Sequence, residues 1–380
     1  MKGIKILHFA DVHFDTPFSE GGDEFSQKRK EDIRETFSNI LEKAKNENVK
    51  IILIPGDFFD NTTLTKTTLE FIKRKLEEVK PGRVFISPGN HDPFNEKSFY
   101  SIIEWPSNVH IFKEEFEKIH IEELNCNVFG KAFTQNHIKR SMLKEFLNKY
   151  NLKEYSEINI MVLHGDINDK AAENDYNPIS LEEIGNSYID YLALGHRHSF
   201  SGIRRERDTY FAYSGNPEGR GFDETGEKGV IIGEVFKGYV DLKFNPICKR
   251  RYYTINLDIT DAKDYEDICN KINTRINFED KKNNLYKIIL IGEISDHFII
   301  NIEVLKQKII GSFYYVKIED NTEIRINYEN LSKEVSIKGI YTKNMLNAIE
   351  NEKDKLKKEK LYKALKVGIQ SLTEREVKVE

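Results

Sequence analysis

The run IKILHFADVH, residues 4–13, is a short apolar strand that ends on an acid and an imidazole. Apolar strands that end on an acid, an imidazole or both recur at IILIPGD (51–57), RVFISPGNHD (83–92), INIMVLHGD (158–166) and YLALGHRH (191–198). Helical spacing fills the first gaps. Residues 27–48 place Ile33, Phe37, Ile40, Leu41 and Ala44 on one face, and residues 65–79 do the same with Leu69, Ile72, Leu76 and Val79. Strand, helix, strand, helix, strand implies right-handed crossovers and a largely parallel sheet, an α/β class. Further strands are expected at 128–129, 209–213 and 229–235.

Five motifs close these strands: Asp11-Val-His13, Gly56-Asp57, Gly89-Asn90-His91-Asp92, His164-Gly165-Asp166 and Gly195-His196-Arg197-His198. Ligands gather at the carboxyl ends of parallel strands, so the five would converge on one edge. Each alone is also ordinary turn chemistry. Together they hold five of the chain's ten histidines, which turn residues do not explain. Crowded imidazoles and carboxylates need compensating positive charge, which divalent metals supply. Nitrogen and oxygen donors without thiolate suit Mn, Fe or Zn better than Ca. Seven donors exceed what one ion needs. Two ions roughly 3.5–4 Å apart and sharing one carboxylate would use them all. Asp57, from the middle of the set, is the natural bridge.

Composition bounds the rest. The chain has 380 residues, 39% of them hydrophobic, enough for a packed core and for two domains with an appendage. No apolar run reaches the roughly 18–20 residues of a membrane helix. Cys126, Cys248 and Cys269 are odd in number and far apart, against a disulfide framework or a zinc knuckle. The first residues read as a buried strand and not a signal peptide, so a reducing cytoplasm is the expected compartment. The rhythm changes after Lys249, Arg250 and Arg251. Residues 251–330 read as a small α+β domain, with strands at 252–258, 286–291, 313–318 and 323–326 and helices at 261–276 and 302–310. Residues 341–372 are helical in composition, with Leu361, Leu365, Ile369 and Leu372 in a stripe that needs burial.

The ordered set DVH, GD, GNHD, HGD and GHRH over residues 1–235 resembles the calcineurin-like metallophosphoesterase superfamily. ILHFADVHFDTPF at the start, YSGNPEGRGFDETGEKGV after GHRH, and the small domain with its helical tail resemble the SbcD-type DNA repair exonucleases. The DTPF and GRGFDE wording is most similar to the bacterial YhaO-type subgroup. The resemblance implies a phosphoesterase sandwich with helices flanking two sheets over 1–250, a capping domain over 251–330 and a partner-binding tail over 331–380. It assigns a first metal to Asp11, His13, Asp57 and His198, and a second to Asp57, Asn90, His164 and His196. Manganese is expected, with iron or zinc as alternatives. His91 stands beside the metals as the catalytic residue that protonates the leaving oxygen or stabilises the transition state. Some relatives carry a second catalytic histidine where this chain has Asp60, and a helix-capping role before Asn61 and Thr62 competes for that acid.

The implied activity is a two-metal DNA exonuclease that works with an SMC-like ABC ATPase of the SbcC type through its C-terminal helices. The resemblance also allows a homodimer. The alternatives are a phosphoesterase for nucleotides or phosphoproteins, and a non-catalytic DNA-end scaffold. Arg197, Arg204, Arg205 and Arg220 are candidate phosphate contacts, with Arg207, Lys249, Arg250 and Arg251 behind them. Trp105 reads as core, and His8, His110, His120, His137 and His297 as structural or surface residues. Residues 1–250 carry net charge −6 and residues 331–380 carry +4. DNA engagement is therefore expected from metals, local arginines and a partner, not from a broad basic surface.

Overall fold

The computed structural model describes residues 2–18, 20–60, 64–168, 175–295, 298 and 300–372. The expectations for Asn61, Thr62 and His297 lie outside these. The chain divides into two compact units: Met1–Thr254, Glu279–Lys287 and Ser312–Val316 form the first, and Ile255–Phe278, Ile288–Gly311 and Lys317–Glu380 the second.

The first unit is built on two six-stranded sheets. One has the order Tyr239–Pro246, Gly229–Phe236, Ile4–His8, Ile51–Ile54, Arg83–Ile86, Val109–Ile111. The other runs Arg204–Glu206, Thr209–Tyr213, Tyr191–Gly195, Ile158–His164, Cys126–Gly130, Glu117–Ile121. The strands that bear the motifs pair in parallel, as the strand–helix alternation predicts. Antiparallel strands complete both sheets. Of these, Glu117–Ile121, Arg204–Glu206 and Tyr239–Pro246 escape a sequence reading. All three are edge strands whose outward positions carry charge, which hides their alternation.

Strand periodicity sets the layers. Ile4, Ile6, Ile51, Leu53 and Phe85 from one sheet pack with Val128, Ile158, Ile160, Val162, Tyr191 and Ala193 from the other. The alternate residues Leu7, Phe9, Ile52 and Ile54 face Ile33, Phe37 and Ile40 of helix Gly22–Asn46 and Leu69, Ile72 and Leu76 of helix Lys66–Glu77. Likewise Met161, Leu163, Leu192 and Leu194 meet Leu143, Phe146 and Ile184 from helices Met142–Lys149 and Leu181–Asn186. The result is a sandwich with helices outside both sheets. Burial of each such side chain contributes about 1.5–3 kcal/mol. The first helix starts at Gly22, five residues before the start expected at residue 27. Gly21 takes a left-handed turn there, and Asp23 and Glu24 complement the helix dipole.

In the second unit, helices Tyr265–Arg275 and Ile302–Ile309 are capped by Asp264 and Asn301, whose side chains accept from the first free N–H groups. The helical region expected at 341–372 is two helices, Ile337–Asn351 and Lys355–Ser371. Asp354 caps the second by accepting from the Lys357 N–H at 3.1 Å. Leu361, Leu365 and Ile369 pack against Tyr341, Met345, Leu346 and Ile349 of the preceding helix. Leu372 stays exposed, as do Ile337, Ile340 and Leu356. No helix among the described residues is long and apolar enough to cross a membrane. No disulfide joins the three cysteines.

Candidate metal centre

The strand ends carry unusual backbone. Asp11 (φ 54°), His13 (φ 49°), Asp57 (φ 49°) and His196 (φ 110°) all lie in the left-handed region. Each such residue costs on the order of 1–3 kcal/mol and persists only where the surroundings over-determine it. Here they do. Asp11 N–H donates to Gly56 O at 3.1 Å and His13 N–H to Asp57 O at 3.0 Å. Asp92 is the keystone. Its buried carboxylate accepts from the N–H groups of Gly89 (2.7 Å), Phe58 (2.7 Å) and Asp57 (3.1 Å) and from the Tyr100 hydroxyl (2.7 Å). Two glycines permit the closeness. A Cβ on Gly89 would stand 2.3 Å from Asp57 Oδ1, and one on Gly195 would stand 1.8 Å from Pro55 O.

On this scaffold the expected ligands converge. Asp11, His13 and His198 share one cluster, and Asp11, Asp57 and His164 another. The ring of His164 lies 5.2 Å from that of His196, edge on. His164 Nε2 is 2.8 Å from Asn90 Oδ1. Asp11 accepts from the His196 N–H at 3.0 Å.

Electron pairs face one another at the centre. His13 Nδ1 donates to Asp60 Oδ1 at 3.0 Å, so the Nε2 of a neutral ring is a bare lone pair. That atom is fully buried without a hydrogen-bond partner, 3.8 Å from Asp57 Oδ2. His164 Nδ1 donates to Pro55 O at 3.0 Å, so the ring nitrogen that faces Asn90 Oδ1, Nε2, is unprotonated in the neutral ring and lies 3.5 Å from the same Asp57 oxygen. Burial pushes the His13 and His164 imidazoles below their ordinary range and His196 down to about 4. Neutral imidazole is the form a metal binds. Burial and the Asp57 charge together push the Asp11 carboxyl well above the usual carboxylate range. Cations between these groups would satisfy both the unprotonated nitrogens and the crowded acids, so the residues present fit two divalent ions.

His91 differs from the ligands. Its side chain is 52% exposed, and its Nδ1 lies 3.0 Å from Asp60 Oδ1. Its own N–H donates to Asp57 Oδ1 at 2.9 Å. The bond to Asp60 raises the His91 pKa. Asp60 therefore holds two histidines with one oxygen, a role invisible in sequence because the partners lie 47 and 31 positions away. Glu224, in the GRGFDE segment, is a second such residue: its Oε1 accepts from His198 Nδ1 at 2.8 Å. Burial opposes its charge, but the bonds from His198 and Arg220 hold its carboxyl far below the usual range.

The candidate phosphate contacts separate. Arg220 is at the cluster, with its Nη2 2.9 Å from His198 Nδ1. Arg197 turns to Asp166 (2.7 Å) and the Ile167 carbonyl. Arg204 and Arg205 lie on an edge strand over the rings of Phe211 and Tyr210. Lys249 pairs with Glu35, Arg250 with Asp32 and Arg251 with Glu227. His8 bonds Tyr191, His110 pairs with Glu117, and His120 bonds Asn127. The His137 ring lies tilted 5.6 Å from that of Tyr176, which itself lies 4.9 Å from the His196 ring. Trp105 stacks on Tyr100, behind Asp92.

Known proteins add to this geometry. The chain is 27% identical over 269 residues to an uncharacterized metallophosphoesterase, YhaO, of Bacillus subtilis. That match covers 68% of this chain and 64% of the relative, so the chain spans just under two thirds of its length. It is 25% identical over 313 residues to the DNA double-strand break repair protein Mre11 of Sulfurisphaera tokodaii, covering 77% of this chain and 75% of that one. A solved dimetal phosphatase from Danio rerio aligns with a TM-score of 0.44 at 10% identity, over 64% of this chain and 96% of that one. The profile of the calcineurin-like phosphoesterases matches residues 4–200, a span that contains all five strand-end motifs. On that match, and with its sandwich and its cluster of metal-binding side chains, the chain belongs to the calcineurin-like phosphoesterase family.

Proposed function

We propose that this protein is a two-metal phosphodiesterase that degrades DNA, a repair exonuclease that works in the cytoplasm with an SMC-like ABC ATPase. The observation that carries the phosphodiesterase reading is the pair of buried imidazole nitrogens, His13 Nε2 and His164 Nε2, facing one oxygen of Asp57, the first of them without a hydrogen-bond partner. Support for DNA comes from the similarity to Mre11, which runs through 77% of the chain and so extends past the motif-bearing unit.

In this reading Asp11, His13, Asp57 and His198 hold one ion, and Asp57, Asn90, His164 and His196 the other. Bound there, two divalent ions supply Lewis acidity to the phosphate and raise the acidity of an attacking water; manganese is our first choice. The chain's own groups do the rest. Asp60 fixes the His91 ring through Nδ1, and the exposed Nε2 edge meets the departing sugar oxygen. His91 gives up its proton there, an effect typically worth roughly 10²–10⁴-fold. Arg220, anchored beside His198, faces an anionic phosphate oxygen. Residues 251–330 serve as a cap on the substrate. The tail offers exposed Ile337, Ile340 and Leu356 to the ATPase, a helix-in-groove arrangement.

The test is incubation with Mn²⁺ and end-labelled single- and double-stranded DNA, beside bis(p-nitrophenyl) phosphate. Metal-dependent release of labelled nucleotide is expected. Cleavage of the small diester alone would reject DNA as substrate. DNA binding without any hydrolysis would make the protein a scaffold.

A further inference from the structure

Tyr191 belongs to the apolar cluster between the two sheets of the first unit, yet its hydroxyl finds a polar partner there. That partner is His8, on the facing sheet, and both side chains are fully buried. The rings meet edge on with centroids 5.9 Å apart. His8 Nδ1 lies 2.9 Å from the Tyr191 hydroxyl, and His8 Nε2 lies 3.2 Å from the Leu194 carbonyl. A carbonyl only accepts, so Nε2 carries the proton and donates to Leu194, while Nδ1 accepts from Tyr191. Burial pushes the imidazole down to about 3, so the ring stays neutral and keeps both bonds.

The place of this bridge tells more than its chemistry. His8 ends the strand that leads to Asp11 and His13, and Tyr191–Gly195 is the strand that leads to His196 and His198. Toward the metal centre, three contacts between the sheets follow one another. His8 donates to the Leu194 carbonyl. Gly195 comes next, so close to the facing sheet that a Cβ there would stand 3.1 Å from Ala10 Cβ and 1.8 Å from Pro55 O. The His196 N–H then donates to Asp11 Oδ1 at 3.0 Å. The proposed ligands divide between the same two sheets, with Asp11, His13, Asp57 and Asn90 following one and His164, His196 and His198 the other. The offset of the sheets at this end therefore sets the spacing of the ligands. Apolar contacts hold two sheets together but have no direction. A hydrogen-bonded bridge has both length and direction. Replacing both partners of a buried hydrogen bond by apolar groups of like shape is close to neutral for stability. Stability alone does not call for the bridge; a fixed offset does.

We propose that His8 and Tyr191 are positioning residues whose bridge fixes the offset between the sheets, so that ligands from both meet the same pair of ions. The inference rests on the two-metal reading above. It goes beyond it by naming core residues, outside the ligand set, that set the spacing of the ions.

The experiment uses the full chain, stripped with chelator and reloaded with Mn²⁺, as wild type, Tyr191→Phe, His8→Gln and the double variant His8→Leu/Tyr191→Phe. It reads the denaturant midpoint of the metal-free protein, Mn²⁺ affinity by calorimetry, and the exchange-coupled signal of the Mn²⁺ pair by electron paramagnetic resonance. Wild type should bind two ions and show the coupled signal. The double variant should keep the wild-type midpoint, lose about 10–100-fold in affinity, and show a weakened coupling. His8→Gln, whose amide can donate to Leu194 and accept from Tyr191, should stay near wild type in both metal readouts. Tyr191→Phe, which keeps the donor to Leu194, should fall between His8→Gln and the double variant. Wild-type affinity and coupling in the double variant overturn the proposal. So does a midpoint that falls in step with the affinity, since the bridge would then serve stability alone. Should the double variant fail to fold, Tyr191→Phe decides by the same readouts. In each of these cases wild type still holds two ions and the two-metal reading stands. A wild type that binds fewer than two ions ends that reading and this inference with it.

Discussion

Two buried charge clusters in the first unit follow opposite rules. Around Arg29 the charges are matched. Its guanidinium meets Asp32 at 2.6 Å, Glu218 at 3.1 Å and the Gly219 carbonyl at 2.8 Å. Arg250 adds a second cation on Asp32 at 2.9 Å, and Thr36 a hydroxyl on Glu218 at 2.8 Å. Around Asp57 the charges are mismatched, with acid facing acid and lone pair facing oxygen. The first cluster matches its charges within the protein and fastens helix Gly22–Asn46 to the 218–219 and 249–250 segments. The second leaves acids and a lone pair without a cation, the condition a metal site requires. Burial of charge alone does not mark a site; burial of charge without its complement does.

That contrast can be broken by substitution. Asp57→Ala should have the largest effect. It should abolish binding of both ions in elemental analysis and cut turnover by about 10³–10⁴-fold, the equivalent of several kcal/mol of lost charge stabilisation. Retention of two tight ions would remove Asp57 from its bridging role. His91→Ala should keep both ions and lower turnover by roughly 10²–10⁴-fold. A variant that loses its metals would show that His91 belongs to the ligand set. Arg29→Ala should do the reverse of both. Denaturant unfolding should show a loss of about 3–5 kcal/mol, because Glu218 is left buried without a cation, while metal stoichiometry of the folded protein holds at two. A stability loss shared equally by Asp57→Ala would erase the distinction. The smallest change should come from Arg204→Ala and Arg205→Ala on the edge strand. If they touch DNA phosphate, each should lower the slope of log affinity against log salt by about 1. An unchanged slope would confine DNA contact to the cleft.

The candidate ligands could be picked out because each of the five motifs follows its own strand, so local pattern alone delivers them to one end of a sheet. The residues around them could not. Asp60, Asp92 and Glu224 act on partners brought near by crossovers, and nothing in their immediate sequence distinguishes them from capping or turn acids. Lys249, Arg250 and Arg251 illustrate the converse. As a basic run they suggest a nucleic-acid contact, but the fold places Glu35, Asp32 and Glu227 against them. The parallel strands and both long helices of the first unit could be read from period alone. The edge strands could not, since half-exposed residues blur the alternation. The tail stripe pointed to burial without naming the surface, and three of its four residues find it in the neighbouring helix.

The division of the candidate ligands between the two sheets has a consequence for how the protein comes apart. Asp11, His13, Asp57 and Asn90 follow strands of one sheet, and His164, His196 and His198 strands of the other. Any ion bound by both groups acts as a clasp across the sandwich, present only in the native state. Mass action then makes the melting temperature a reading of metal supply. At a free concentration 100 times the dissociation constant, one such ion adds about 2.7 kcal/mol to the unfolding free energy. A cell that depletes the metal would therefore loosen the enzyme as well as silence it, and proteases would meet the starved protein first.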